Sequence, residues 1–202
     1  MKVSREQAQE NRRTVISVAG RLFRERGFEG IGLSDLMKAA GLTHGGFYKQ
    51  FKSKQDLIVE ASAHALEETF GRWSRILHGT SAHPLAGLIR FYLSKGHRDQ
   101  PGEGCAFAAL APDVARLNSV ALKKVFEAGM ESRLALIDEL LSDAPDETTR
   151  NQSITIVSTM VGALVLSRAV ENKALSQRIL KTVADDLIAR TGAEAARATY
   201  LQ

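Results

Sequence analysis

The stretch Leu33 to Lys54, LSDLMKAAGLTHGGFYKQFKSK, constrains the fold of this chain more than any other. Leu33, Leu36, Met37 and Ala40 recur at i, i+3, i+4 and i+7, so a short helix places all four on one buried face. Gly41 ends that helix, because a residue without Cβ takes the left-handed conformation at no steric cost. Thr43 is then placed to cap a second helix over roughly residues 43 to 51. Phe47 and Phe51 lie one turn apart on its inner face, while His44, Gly45, Tyr48, Lys49 and Lys52 make its outer face. Two short helices joined by a turn containing glycine form a helix-turn-helix.

Gly45 and Gly46 are the unusual residues of this motif. Each costs about 1 kcal/mol relative to Ala in a helix interior, so the second helix is weaker than solubility alone requires. Two explanations stand side by side. The absent side chains let a nucleic-acid backbone approach the helix N-terminus, where amides and the positive dipole end favour phosphate. Alternatively, they permit close packing against the preceding helix. The neighbouring Tyr48, Lys49, Lys52 and Lys54 favour the first.

The run from Arg12 to Leu57 closely resembles the DNA-binding domain of TetR/AcrR-type transcriptional regulators. The resemblance is carried by Ala19-Gly20-Arg21-Leu22-Phe23, Gly27, Leu36-Met37, Ala40-Gly41-Leu42-Thr43, Gly46-Phe47-Tyr48, Phe51 and Ser53-Lys54. It implies an all-α protein of about nine helices. Residues 1–54 would form a three-helix DNA-binding domain with the helix-turn-helix, and residues 55–202 a larger helical domain for effector binding and dimerisation. The function it implies is ligand-responsive regulation of transcription, as a repressor released from a palindromic operator by a small molecule. Tyr48 and Lys54 would hold phosphates, and Thr43, His44 and Lys49 would read bases or the adjacent backbone, with Gly45 and Lys52 beside them. One departure is visible. Many members place a phosphate-binding Ser or Thr at the N-cap of the motif's first helix; here Gly32 stands there, and Ser34 is the hydroxyl two residues on.

Charge agrees with this reading. Residues 1–54 hold 11 Lys and Arg against 5 Asp and Glu, while the remaining residues hold 16 against 18. A basic face would bind phosphate by releasing counterions, with affinity falling steeply as salt rises. A polar N-terminus and the lack of any uninterrupted apolar run of about 18 residues predict a cytoplasmic protein without signal peptide or membrane partner. The single cysteine, Cys105, excludes an intramolecular disulfide and any multi-cysteine metal site.

In chain order, Ser4 to Arg26 reads as one helix with Val15, Val18, Ala19, Leu22 and Phe23 as its buried stripe. Arg5, Arg12, Arg13, Arg21 and Arg24 lie off that stripe, and Gly27 ends the helix with Phe28 tucked back as an anchor. Ser53 to Asp56 fits a capping box opening a fourth helix that runs to about Gly71. That helix is a candidate lever of about 25 Å between the two domains, or an ordinary connector. Breakers at Gly79-Thr80-Ser81, 99–104, Ala111-Pro112, 142–145 and Asn172 delimit further helices near 84–98, 105–117, 119–141, 147–170 and 174–190, and 191–202 reads as a tail.

In the family, the last two helices pair with their symmetry mates in a homodimer. Ile154, Val157, Val161, Leu164 and Val165 on one, and Ile179, Leu180, Val183, Leu187 and Ile188 on the other, are the candidate seam; the same faces would serve equally as monomer core. By the family's logic the remaining helices enclose an effector, with Trp73, Phe91, Tyr92, Cys105, Phe107, Leu110, Phe126, Met130 and Met160 as apolar lining or as plain core, and Tyr92, His97 and Arg116 as polar handles.

Cys105 follows Pro101-Gly102-Glu103-Gly104 and is expected in the first turn of a helix. There, amides and nearby Lys95, His97 or Arg98 would favour a reactive thiolate, so a thiol-based redox or electrophile sensor is one alternative and a buried packing residue the other. An enzyme is not expected. None of His44, His64, His78, His83 or His97 stands at a known nucleophile spacing from Cys105, the glycines at 27, 30 and 32 are no dinucleotide fingerprint, and neither cofactor nor metal is implied. A constitutive architectural DNA-binding protein without effector is the remaining alternative.

Overall fold

The computed structural model describes residues 4–77 and 83–192. The expected breaker at Gly79-Thr80-Ser81 and the tail beyond Gly192 lie outside the described residues. Among those described there are nine α-helices, two short 3-10 helices and no strand, as the all-α expectation requires. The α-helices are α1 (Arg5–Arg26), α2 (Leu33–Ala39), α3 (Lys54–Leu77), α4 (Pro84–Tyr92), α5 (Lys95–Asp99), α6 (Ala106–Leu117), α7 (Val120–Leu141), α8 (Glu147–Ala169) and α9 (Lys173–Thr191). The 3-10 helices are His44–Lys49 and Pro101–Glu103.

By compactness the chain divides into two units, residues 1–68 with 101–128, and residues 69–100 with 129–202. α3 and α7 each contribute to both. The expected division at residue 54 is one of function, and compactness does not test it.

In the first unit, Ser4 caps α1 by accepting the Gln7 N–H at 3.1 Å. Val15, Ala19, Leu22 and Phe23 are buried, with Val18 half-buried beside them. Gly20 brings α1 close to α3, since a Cβ there would lie 3.2 Å from the Ala61 carbonyl oxygen. Gly27, at φ +75°, ends the helix, and Phe28 turns inward to pack edge-on against Phe23. Arg24 departs from the expectation that it lies off the buried stripe. It is 5% exposed, and its guanidinium donates to the Gly102 carbonyl at 2.7 Å and to Glu68 at 3.2 Å. Its burial comes from residues 101–104 lying against α1, a long-range contact that helical periodicity does not register.

Three further differences have local causes. α3 continues to Leu77, past Gly71, because an interior glycine costs only about 1 kcal/mol and does not by itself end a packed helix. The stretch 84–98 is two helices, since Ser94 accepts the His97 N–H at 3.2 Å and starts α5 anew. Pro112 does not break α6; it sits within the helix, exposed to solvent.

In the second unit, α8 and α9 pack along each other, α4 packs on α9, and α5 on α8. Asp146 caps α8 and Asn172 caps α9, each through its side-chain oxygen. Arg168 donates to the carbonyls of His97 at 2.7 Å and Arg98 at 3.0 Å, Arg98 donates to the Ser176 hydroxyl, and that hydroxyl donates to the Ser167 carbonyl. Arg133 is fully buried, donating to Thr69 Oγ1 at 2.7 Å and to the Gly129 carbonyl at 2.8 Å with its guanidinium over the Trp73 ring. α8 is long and apolar enough to cross a membrane by length and composition alone, a test that the core helix of a helical bundle also meets.

Candidate nucleic-acid interface

The turn of the motif is built by Gly41. At φ +72° it closes α2 with two backbone bonds, Gly41 N–H to Lys38 O at 3.0 Å and Leu42 N–H to Met37 O at 2.9 Å. This six-to-one, five-to-two pair satisfies the last carbonyls of α2 and reverses the chain. Leu36 and Met37 are buried beneath it, with Leu33 half-buried.

The second helix forms as a 3-10 helix, His44–Lys49, where an α-helix over residues 43 to 51 was expected. Gly46 N–H bonds to Thr43 O and Gln50 N–H to Phe47 O, both at i+3 spacing. Two adjacent glycines remove the intrinsic preference that would extend an α-helix, and short helical pieces then take the tighter form. Thr43 occupies the N-cap position with extended backbone, but its hydroxyl makes no capping bond, contrary to expectation.

Phe47 is fully buried and stacks on Phe51 at 5.5 Å, anchoring the helix to the core. Tyr48 is 63% exposed, its ring held edge-on by Phe47 at 5.1 Å and by His44 at 6.1 Å. Thr43, His44, Gly45, Lys49 and Lys52 are exposed around it, and Ser34 is exposed in the first turn of α2. Lys54, the first residue of α3, is half-buried with Nζ 3.6 Å from Glu29, a partner that sequence reasoning missed. Ser53 accepts the Asp56 N–H at 3.1 Å, and Asp56 accepts the Lys52 N–H at 3.2 Å, completing the cap one residue outside the expected box. Arg12 is committed to Glu60 and lies over the Phe51 ring at 4.8 Å.

The two glycines differ in a way the sequence could not show. Among the described residues a Cβ on Gly45 would meet nothing within 4 Å, and one on Gly46 would make only ordinary contacts with Met37 and Thr43 at 3.8 Å. Packing against α2 therefore requires neither glycine.

The other candidate residues fall in different places. Trp73, Tyr92 and Met160 are buried in the second unit, Met130 is half-buried there and Phe91 is exposed, stacked on His97. Cys105, Phe107, Leu110 and Phe126 are buried in the first unit, where Phe107 meets Phe126 edge-on at 5.3 Å. Lys95, His97 and Arg98, considered above beside Cys105, belong to the second unit. Arg116 is exposed and paired with Asp113. Of the proposed seam, Val157, Leu164, Leu180, Leu187 and Ile188 already lie in the core of their own unit. Ile154 and Val165 are exposed, and Val161, Ile179 and Val183 are half-buried. No cluster of three His, Cys, Asp or Glu suited to a metal occurs among the described residues.

A glycine-turned helix pair, with a buried aromatic anchor and an exposed face of hydroxyl, imidazole and ammonium groups, has the build of a helix-turn-helix. Residues 15–61 match the model for bacterial regulatory proteins of the tetR family. The chain is 42% identical over 57 residues to the HTH-type transcriptional regulator AcrR of Shigella flexneri, covering 28% of this chain and 26% of that protein. A TetR transcriptional regulator from Chloroflexus aurantiacus superposes with a TM-score of 0.74 at 25% identity, covering 89% of this chain and 95% of that one. The reduced form of Escherichia coli NemR shares the fold at a TM-score of 0.74 and 21% identity, covering 88% and 95%. Residues 15–61 thus carry a regulatory domain of the tetR type, and the whole chain shares the fold of TetR-family regulators. The AcrR match spans about a quarter of that relative's length.

Proposed function

We propose that this protein is a ligand-responsive transcriptional repressor that binds a palindromic operator as a homodimer in the bacterial cytoplasm. One observation carries the reading: Gly45 opens onto empty space in the middle of an exposed face bearing His44, Tyr48, Lys49 and Lys52. A glycine that packing does not require, at a stability cost, is accounted for by close approach of something outside the chain. The flanking cations and phenol suit a phosphate backbone. Residues 1–54 supply that function, and residues 55–202 effector binding and dimerisation.

Homodimerisation is supported by the outer face of α8, where Ile154, Val161, Val165 and Leu166 line up with Ser158 and Gly162. Among the described residues nothing lies within 4 Å of a Cβ built on Gly162, so a partner helix has room to come close. A two-fold pair of recognition helices reads two half-sites, which one motif alone is too small to select in a genome. An effector would act by preferring the state whose recognition helices do not fit the operator. Trp73, Phe91, Tyr92, Met130 and Met160 are the side chains of the second unit proposed to meet it.

The test is binding to the DNA flanking the protein's own gene, compared with an unrelated fragment across a salt series. Site-selective binding with a protected palindrome supports the proposal. Weak binding that ignores sequence and vanishes with salt supports a constitutive architectural protein instead.

A further inference from the structure

Asp113 lies on α6, outside the stretch that matches the family model, yet it touches the backbone that leads into the helix-turn-helix. Its Oδ2 accepts the Phe28 N–H at 3.1 Å. Phe28 is the first residue beyond the α1 cap and is fully buried, so its amide needs a partner inside the fold. A Cβ on Gly27 beside it would lie 2.8 Å from the same carboxylate oxygen, so a side chain there would displace that oxygen, and its φ of +75° would strain any residue but glycine. The other oxygen, Oδ1, accepts from Arg116 at 2.9 Å in a pair whose guanidinium is exposed to solvent.

A second tie lies close by. Arg24 donates to the Gly102 carbonyl, and Gly102 sits so close to α1 that a Cβ would collide with Glu25 and come within 2.9 Å of Arg21 Cγ. Residues 101–116 therefore clasp the last turn of α1 at two points. From Phe28 the chain reaches α2 within five residues, by way of buried Ile31, and Glu29 on the way carries the carboxylate beside Lys54.

We infer that Asp113 is a positioning residue for DNA binding. By accepting the Phe28 N–H it fixes the direction in which the chain leaves α1, and with it the placement of α2, the His44–Lys49 helix and Glu29 beside Lys54. Operator affinity then depends on where α6 lies, although α6 offers no group to the DNA. This inference rests on the DNA-binding reading above.

The experiment compares full-length wild type with Asp113→Ala, Asp113→Asn and Arg116→Ala. Three quantities are read: affinity for the protected DNA fragment, hydrogen exchange at the Phe28 amide, and the thermal midpoint. Asp113→Ala should accelerate Phe28 exchange and weaken binding about ten-fold, the order expected for loss of one buried hydrogen bond that holds a binding geometry. Asp113→Asn should restore both, because its amide oxygen accepts the same N–H, and Arg116→Ala should bind as wild type. If Asp113→Ala lowers the thermal midpoint but binds DNA with wild-type affinity, or if Asp113→Asn is as defective as Asp113→Ala, the positioning role is overturned. Wild type that fails to select any DNA fragment would instead sink the regulator reading itself, and this inference with it.

Discussion

The Arg24 guanidinium reaches across 78 residues of sequence to the carbonyl of Gly102, at 2.7 Å, from a side chain that is almost wholly buried. A second nitrogen of the same group meets Glu68 at 3.2 Å. Arg24→Met keeps the aliphatic stem but removes both donors, and should cost about 2 kcal/mol of stability, read as a lower urea midpoint. Arg24→Lys should recover only part of it, since a single ammonium does not reproduce the planar fork.

Gly45→Ala separates stability from binding. The position has empty space for a Cβ and no left-handed backbone to strain, so the variant should fold as stably as wild type or be more stable by up to about 1 kcal/mol. DNA affinity should nevertheless fall at least ten-fold, in line with a steric block at the phosphate backbone. A variant that binds DNA as well as wild type would contradict the close approach inferred at this residue.

His97 makes the second unit sensitive to acid. Burial pulls its imidazole from an ordinary 6.5 down to about 4, and Arg168 and Arg72 push the same way, while the contact of Nδ1 with the Tyr92 carbonyl opposes them. The folded state thus binds fewer protons than the unfolded chain between these two values. The contribution is complete above pH 6.5 and is lost as pH falls toward 4, to about 3 kcal/mol. Denaturation midpoints at pH 7 and 4.5 should fall further for wild type than for His97→Gln.

Cys105 is 4% exposed, at the N-cap of α6, and makes no side-chain capping bond. Its thiol should resist mild alkylation in the native protein under conditions that label the unfolded chain completely, as a packing residue would. Rapid labelling of the native protein would revive the thiol-sensing alternative.

What the sequence made legible was local. Gly41 announces a left-handed cap, and the two bonds closing α2 follow from it; Leu36, Met37, Phe47 and Phe51 announce the motif's inner faces through helical spacing. Elements resting on long-range or marginal balances were not legible. Arg24 looks like one more solvent-facing cation until residues 101–104 lie against it. Ser94 looks like a helix-interior residue until its hydroxyl takes the His97 amide. The Gly45-Gly46 pair left packing and ligand approach equally open, because only coordinates show whether a neighbour occupies the missing volume. Asp113 and buried Arg133 carry no local signal, since the groups they serve, at Phe28 and Thr69, lie 85 and 64 residues away.

The unit that carries the helix-turn-helix is assembled from two separate lengths of chain, and this sets an order on its synthesis. When residue 68 has left the ribosome, the whole stretch matching the family model has emerged, yet Arg24 has no Gly102 to bind and the Phe28 amide no Asp113. Those two contacts wait while the residues up to 113 are added. At about 5–20 residues per second that wait lasts several seconds, long compared with the folding of a small helical domain, so the DNA-reading end of the molecule is begun first and finished late.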